Sequence, residues 1–385
     1  MKKNTTGILG ENKGQITAKA KNASKSKRRR AIGLDLGDKN SCYCIVEREA
    51  NDVEVEVSKE GKVATTKKAM EQTFGALEPT LIALEVGTHS PWVSRLLSGL
   101  GHEVIIANAR KVKAISENSK KNDRVDAQTL GRLALADRTL LHPIQHRGEQ
   151  AQLHLMEIRA RAALVETRTS LINSARGLVK ASGERLPACD ADQMGVKQMT
   201  SLPAGMQETL RPMLETVESL TKQIHGYDER IEQIARTHYP ETKLLRQVKG
   251  VGVLIALTYM LTVEDAGRFE HSRDVGCYVG LRPKQDDSGD SKKQLRITKE
   301  GDIYLRKLLV QGAHYILGRR GPDTDLQRWG RKLAERGGKN GKKRAVVAVA
   351  RKLAVLLHCL WVTGEVYEPL RNSTREAERQ KRAAA

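Results

Sequence analysis

The sequence predicts an α/β fold continued by an α fold: a mixed sheet flanked by helices, a helical coiled-coil arm and a mainly helical C-terminal domain. Three observations predict it. Between residues 31 and 137, short apolar runs bounded by turn residues alternate with helical patterns. From residue 148 the apolar spacing changes to alternating steps of three and four, and beyond 241 short helical patterns are joined by glycine hinges. The expected division is a disordered basic arm (1–30), a sheet domain (31–147), an antiparallel arm (148–240), a helical domain (241–370) and a charged tail (371–385).

The arm at the start holds ten Lys or Arg against one Glu and ends in Lys27-Arg28-Arg29-Arg30, a composition that stays unfolded and meets phosphate backbones. Order is expected from Ala31. Residues 31–36, 41–46 and the alternating Val53, Val55 and Val57 read as a three-stranded meander around the turn Gly37-Asp38-Lys39-Asn40. Thr80 to Val86 and His102 to Ala107 read as two further strands, and Pro91 to Gly99 and Asp123 to Asp137 as helices.

In the arm, Leu155, Ile158, Ala162, Val165, Thr169 and Ile172 form one heptad seam, and Met213, Val217, Leu220, Ile224, Tyr227, Ile231 and Ile234 another. Gly183, Pro187, Gly195 and Pro203 mark the reversal between them. The two helices pack either on each other or on a second subunit. Further on, Asp302 to Leu317 and Ala345 to Trp361 read as helices around a polar loop, Arg282 to Lys293. His314 and His358 fall on these apolar helices and read as hydrogen-bonded core residues.

A formal charge of +21, from 67 Lys and Arg against 46 Asp and Glu, points to polyanions and above all to nucleic acid. With only two Phe, backbone charge rather than ring stacking must dominate such binding. Lys339, Lys342, Lys343 and Arg344, crowded beside a helix start, are candidate phosphate contacts, as are Arg282, Lys284 and Lys293 in the polar loop. No apolar stretch approaches the roughly 20 residues that span a bilayer, so no membrane partner is expected. Five scattered cysteines show neither a disulfide framework nor zinc-ligand spacing. No secretion signal stands at the start, and a cytoplasmic, nucleoid-associated protein is expected.

Four carboxylates carry the chemistry. Asp35 lies in the first strand, opposite in facing to Leu34 and Leu36, and Glu85 closes a second apolar strand. Ligands of such sheets gather at strand ends. Asp123 and Asp126, three apart, share one helix face and can point back at those ends, with Lys120, Lys121 and Arg124 placed for an approaching backbone. Like charges held together need a cation between them, and an all-oxygen set favours Mg2+ or Mn2+. Two such ions about 4 Å apart suit phosphodiester chemistry. Taken singly, Asp123 is also a helix cap, Asp38 a turn residue, and the others salt-bridge partners.

Gly33-Leu34-Asp35, Glu85, the run Lys121-Asn122-Asp123-Arg124-Val125-Asp126-Ala127, the segments Tyr278 to Pro283, Ser288-Gly289 and Lys299 to Asp302, and Leu305 to Leu309 occur in a specific order and spacing. In these the chain resembles bacterial insertion-sequence transposases that join a Holliday-resolvase-like DEDD domain, RNase H-like in fold, to a serine-bearing C-terminal domain. The resemblance implies that Asp35, Glu85, Asp123 and Asp126 are the acidic quartet and Ser288 the nucleophile. It also implies recombination of donor and target DNA through a serine–DNA link, direction by a structured guide RNA, and a homodimer that assembles into a synaptic tetramer. The chain departs from the family pattern at Lys249, where proline is usual before Gly-Ile-Gly, and at Glu300, where Arg or Lys is common. Two other functions fit the residues alone: a metal-dependent structure-specific endonuclease using water, and a non-catalytic nucleic-acid scaffold.

Overall fold

A computed structural model describes residues 29–49, 54–108, 111–112, 122–288 and 291–384. The expected basic arm therefore lies outside the described residues apart from Arg29 and Arg30, and Lys120 and Lys121 lie outside them too. The chain divides into two compact units, residues 1–146 and 147–385.

The first unit is built on a five-stranded sheet in the order β3-β2-β1-β4-β5. Its strands are β1 (Arg29–Asp35), β2 (Asn40–Arg48), β3 (Glu56–Ala64), β4 (Leu81–Glu85) and β5 (Glu103–Ala107). The first three pair antiparallel and β1, β4 and β5 pair parallel, so the sheet is mixed and RNase H-like, as expected. Two boundaries differ. Arg29 and Arg30 already belong to β1, where they pair with Arg48 and Glu47. The third strand begins at Glu56 rather than Val53 and runs through Gly61, because its ladder with β2 carries on across a bulge at Ile45/Val46.

Alternation sorts the side chains to two faces. Ile32, Leu34, Tyr43, Ile45, Ile82 and Leu84 pack with Phe74 of α1 (Lys67–Phe74) and Leu97 of α2 (Ser90–Gly99). Ala31, Cys42, Cys44, Val46, Leu81 and Ala83 pack with Ala127, Leu130 and Ala134 of α3 (Asp123–Ala136). The helix α1 was not anticipated, although Thr66 caps it by accepting from the Ala69 amide, and Met70 and Phe74 share its buried face four residues apart.

In the second unit, α4 (Glu149–Ala181) and α5 (Ala204–His238) pack against each other. Ile172, Ala175 and Val179 meet Leu210, Leu214 and Val217 near the reversal, and Leu155 and Ile158 meet Ile231 and Ala235 at the other end, so the pair is antiparallel. The seam of α4 breaks in its middle, where Thr169 is exposed and Arg168 is buried instead. Arg168 pairs there with Asp192 of the reversal segment and donates to Thr221 of α5 at 3.1 Å.

The remaining elements are α6 (Thr242–Leu245), α7 (Val253–Val263), α8 (Val275–Tyr278), the hairpin β6 (Pro283–Ser288) and β7 (Ser291–Ile297), α9 (Ile303–Leu317), α10 (Asp325–Glu335), α11 (Gly341–Thr363) and α12 (Arg371–Ala384). The expected polar loop is thus a hairpin. Its register sets Asp286 and Asp287 opposite Lys293 and Lys292, a pairing that apolar patterning does not reveal. The expected charged tail is likewise helical from Arg371, its first amides held by Asp325, which accepts from Asn372 at 2.7 Å and Ser373 at 3.2 Å.

One expectation about membranes needs correction. With 23 residues, α11 is long and apolar enough to cross a bilayer, a property that Arg351 and Lys352 conceal in the sequence. Half of its most apolar stretch is buried inside the fold, where Ala345, Val349, Ala350, Leu353 and Leu357 join the core formed with α7 and α9. His358 on the same helix is buried and bonded to Ser272 Oγ and the Ala266 carbonyl, each at 2.9 Å. His314, expected in the core, is exposed on α9.

Candidate active site

The acids of the first unit are placed by register. Leu34 pairs with Leu84 across parallel β1 and β4, so the next residues, Asp35 and Glu85, stand side by side at the C-terminal ends of neighbouring strands. Both share the parity of Ala31 and Ala83, hence the face that α3 covers. On α3, Asp123 and Asp126 occupy the first turn, where the partial positive charge of the helix terminus favours carboxylates. Asn122 caps that turn by accepting from the Arg124 amide at 3.1 Å. Asp126 is buried at 6 % exposure, whereas Asp123 and Arg124 are exposed.

Glycine sets how closely α3 approaches. A methyl group on Gly33 would stand 1.8 Å from the Ala127 carbonyl oxygen and 2.5 Å from the Gly131 amide nitrogen, so the helix lies backbone-to-backbone on β1 two residues before Asp35. The thiol of Cys42, paired with Asp35 on β2, reports the resulting field. Burial pushes it above its ordinary value; Lys62 opposes that shift, Asp123 and Asp35 add to it, and Arg124 opposes it. Acids from the helix and from the strand therefore act on the same sulfur.

The turn after Asp35 is pinned from β3. Thr65 donates from its hydroxyl to the Gly37 carbonyl at 2.9 Å, shares a 2.8 Å bond with Ser41 Oγ, and donates its amide to the Lys39 carbonyl at 2.9 Å. Asp38, the nearby competitor, points away to His89 Nε2 at 3.5 Å, its side chain 91 % exposed. Beyond Glu85, Ser90 Oγ accepts from the Gly87 amide at 2.9 Å and shares a 2.8 Å bond with His146 Nε2.

The structure thus sets Asp35, Glu85 and the Asp123/Asp126 turn on one side of the sheet. It does not close them into a finished cage: among the described residues, no three His, Cys, Asp or Glu side chains are gathered tightly enough to hold a metal ion. The donors are all carboxylate oxygens, the chemistry that hard divalent ions take.

Ser288 lies in the second unit, as the last residue of β6, opposite Ser291 in register. Its side chain, that of Lys293, and residues 289–290 lie outside the described residues. The base of this hairpin is firmly built. A methyl on Gly280 would stand 2.1 Å from the Glu300 carbonyl oxygen and one on Gly301 2.0 Å from that of Tyr278, both at positive φ. Arg306, 9 % exposed on α9, donates to the Val279 carbonyl at 3.0 Å and the Glu300 carbonyl at 2.6 Å. Its signal was present in the motif Leu305-Arg306-Lys307, but the role depends on a contact that spacing does not reveal.

Of the candidate phosphate contacts, Arg282 and Lys284 are exposed, with Arg282 donating to Gln285 at 3.3 Å. Lys339, Lys342, Lys343 and Arg344 are exposed at the N-terminal end of α11, the last three inside its first turn.

The chain is similar to known proteins over most of its length. Residues 242–327 match the model described as the transposase IS116/IS110/IS902 family, and residues 32–182 match a transposase model of the DEDD type. The chain is 29 % identical over 324 residues to the transposase for insertion sequence element IS1111A of Coxiella burnetii, covering 80 % of this chain and 85 % of that one. It is 30 % identical over 308 residues to y4pF/y4sB of Sinorhizobium fredii, which carries a transposase name, covering 78 % of each. To the transposase for IS1328 of Yersinia enterocolitica it is 27 % identical over 299 residues, covering 75 % and 84 %. The chain belongs to the IS116/IS110/IS902 family of transposases and is a transposase-type enzyme that acts on DNA.

Proposed function

We propose that the chain is a metal-dependent DNA recombinase whose Asp35, Glu85, Asp123 and Asp126 hold Mg2+ or Mn2+ against a DNA phosphate, with Ser288 as nucleophile. The observation that carries the reading is the register of β1 and β4, which ends two neighbouring strands in carboxylates on the side where α3 begins. Bound there, divalent ions would supply charge stabilisation to the attacking and leaving oxygens. The chain's own residues do the positioning. Asp126, buried in the helix, fixes one edge of the site, and the contact at Gly33 sets its distance from the sheet. Exposed Arg124 orients the approaching backbone.

In the reaction proposed, Ser288 Oγ forms a bond to phosphorus while the bond to the 3′ oxygen breaks. The serine proton passes to the leaving oxygen by way of solvent, leaving a phosphoserine–DNA link and a free 3′-hydroxyl. Reversal on a second duplex exchanges strands without loss of bond energy. The serine step rests on the resemblance of the segment Tyr278 to Gly289 to the family's serine-bearing domain, and so do a guide RNA and a dimer that pairs into a tetramer. The surplus of +21 suits donor DNA, target DNA and RNA alike. The test is to mix the protein with a labelled duplex carrying the element's end and its guide RNA, then denature. A covalent protein–DNA band that Ser288→Ala removes, with binding intact, is the expected result. Hydrolysed ends and no adduct would replace the recombinase with an endonuclease that uses water.

A further inference from the structure

The row of side chains that crosses the sheet at the acids extends beyond them. Asp35 pairs with Cys42 of β2, and Cys42 pairs with Lys62 of β3. Residues directly opposite in a ladder share a face, so Glu85, Asp35, Cys42 and Lys62 stand in one line across four strands on the side covered by α3. Strands lie about 4.8 Å apart, which puts the Lys62 backbone about 10 Å from that of Asp35. A lysine stem and a phosphate together bridge that span.

Lys62 is exposed, and among the described residues it forms no ion pair. Its register places it two strands from Asp35 on the same face of the sheet. A second cation, Arg124, is exposed in the first turn of α3. Lys62 and Arg124 thus come to the site from different elements, one from the outer strand and one from the helix.

We propose that Lys62 is a further substrate-contacting residue, its ammonium holding a phosphate of the DNA strand laid across Asp35 and Glu85. This rests on the reading of the acids as the reaction centre. Four carboxylates repel a phosphodiester, and a cation at the outer end of the row offsets that repulsion before any chemistry begins. An ordinary role is also open to a lysine on the edge strand β3, since edge lysines discourage pairing with other chains. Lys59 separates the two roles: it lies on β3, is exposed, and pairs with Ile45, whose parity puts it on the opposite face.

The test measures binding of the full chain to a short fluorescein-labelled duplex of mixed sequence in EDTA, over a series of salt concentrations. Lys62→Gln is expected to weaken binding several-fold at low salt and to reduce the slope of log affinity against log salt by about one. Lys62→Arg should keep the slope, and Lys59→Gln should match the unaltered chain. Equal behaviour of Lys62→Gln and the unaltered chain, or equal losses in Lys62→Gln and Lys59→Gln, would overturn the proposal. Cleavage by Asp35→Asn, measured alongside, keeps the two ideas apart. If that variant cuts normally, the reading of the acids fails; if it is inactive while Lys62→Gln binds normally, only the role of Lys62 falls.

Discussion

Gly33 and Ala127 meet backbone to backbone: the place where a side chain would begin on Gly33 is 1.8 Å from the Ala127 carbonyl oxygen. No rotamer change relieves a clash between main-chain atoms, so Gly33→Ala must push α3 away from β1. Overpacking of this kind costs about 1–3 kcal/mol. We expect a lower melting temperature, and loss of cleavage beyond what the loss of folded protein explains, because Asp123 and Asp126 move with the helix. Activity that simply tracked the folded fraction would contradict the second part.

Arg306 links two carbonyls at the base of the hairpin that bears Ser288. Arg306→Ala removes the donor from the buried Val279 carbonyl and from the part-buried Glu300 carbonyl, at about 1–3 kcal/mol for the buried one. Hydrogen exchange over residues 279–300 should quicken while α4 and α5 keep their protection. Arg306→Lys, with one centre of charge for two acceptors, should restore part of the protection.

The thiol of Cys44 is pushed up to about 11 by burial first and by Glu60 second, and it donates to Glu60 at 3.9 Å. A thiol with its folded value above its ordinary 9.0 adds stability that is complete below that value and fades as pH rises through the folded one. Stability of the first unit should therefore decline between about pH 9 and about pH 11. Cys44→Ala should flatten that decline in denaturant titrations, and iodoacetamide should modify Cys44 slowly at neutral pH.

How much of this was legible in the sequence depended on the length over which a pattern runs. The parity of Gly33-Leu34-Asp35 and of Leu81 to Glu85 is local, and it identified two strands and the facing of their acids. The helix bearing Asp123 and Asp126 begins where its Asn122 cap and acidic first turn indicate. What stayed hidden depends on partners. The start of β3 at Glu56 follows from a ladder with β2, the hairpin around Ser288 from the backbone pairing of β6 with β7, and the burial of Arg168 from Asp192 in the reversal. Lys62 had no signal until the register of β2 with β3 put it in line with Asp35.

At the root of the arm, His154 is 6 % exposed, bonded to Tyr239 at 3.0 Å and Gln150 at 2.8 Å. Burial holds its ring below the usual histidine range, and His238 adds to the shift. A base depressed in this way gives stability that is present above its ordinary 6.5 and is lost as pH falls through the folded value. Acidification from about pH 8 to about pH 5 should lower the melting temperature of the second unit, and His154→Gln should lessen that dependence. An unchanged pH dependence in the variant would remove His154 as its source.

The central claim is that the carboxylates ending β1 and β4 hold divalent ions with the start of α3. It is tested most directly by anomalous scattering from Mn2+ in crystals of the protein bound to DNA. The account predicts a peak at coordination distance, about 2.1 Å, from Asp35 and Glu85, with Asp123 or Asp126 completing the shell, and its disappearance in Asp35→Asn. A well-ordered DNA complex whose Mn2+ peaks all lie elsewhere, with Asp35 and Glu85 bound only to protein groups, would contradict it.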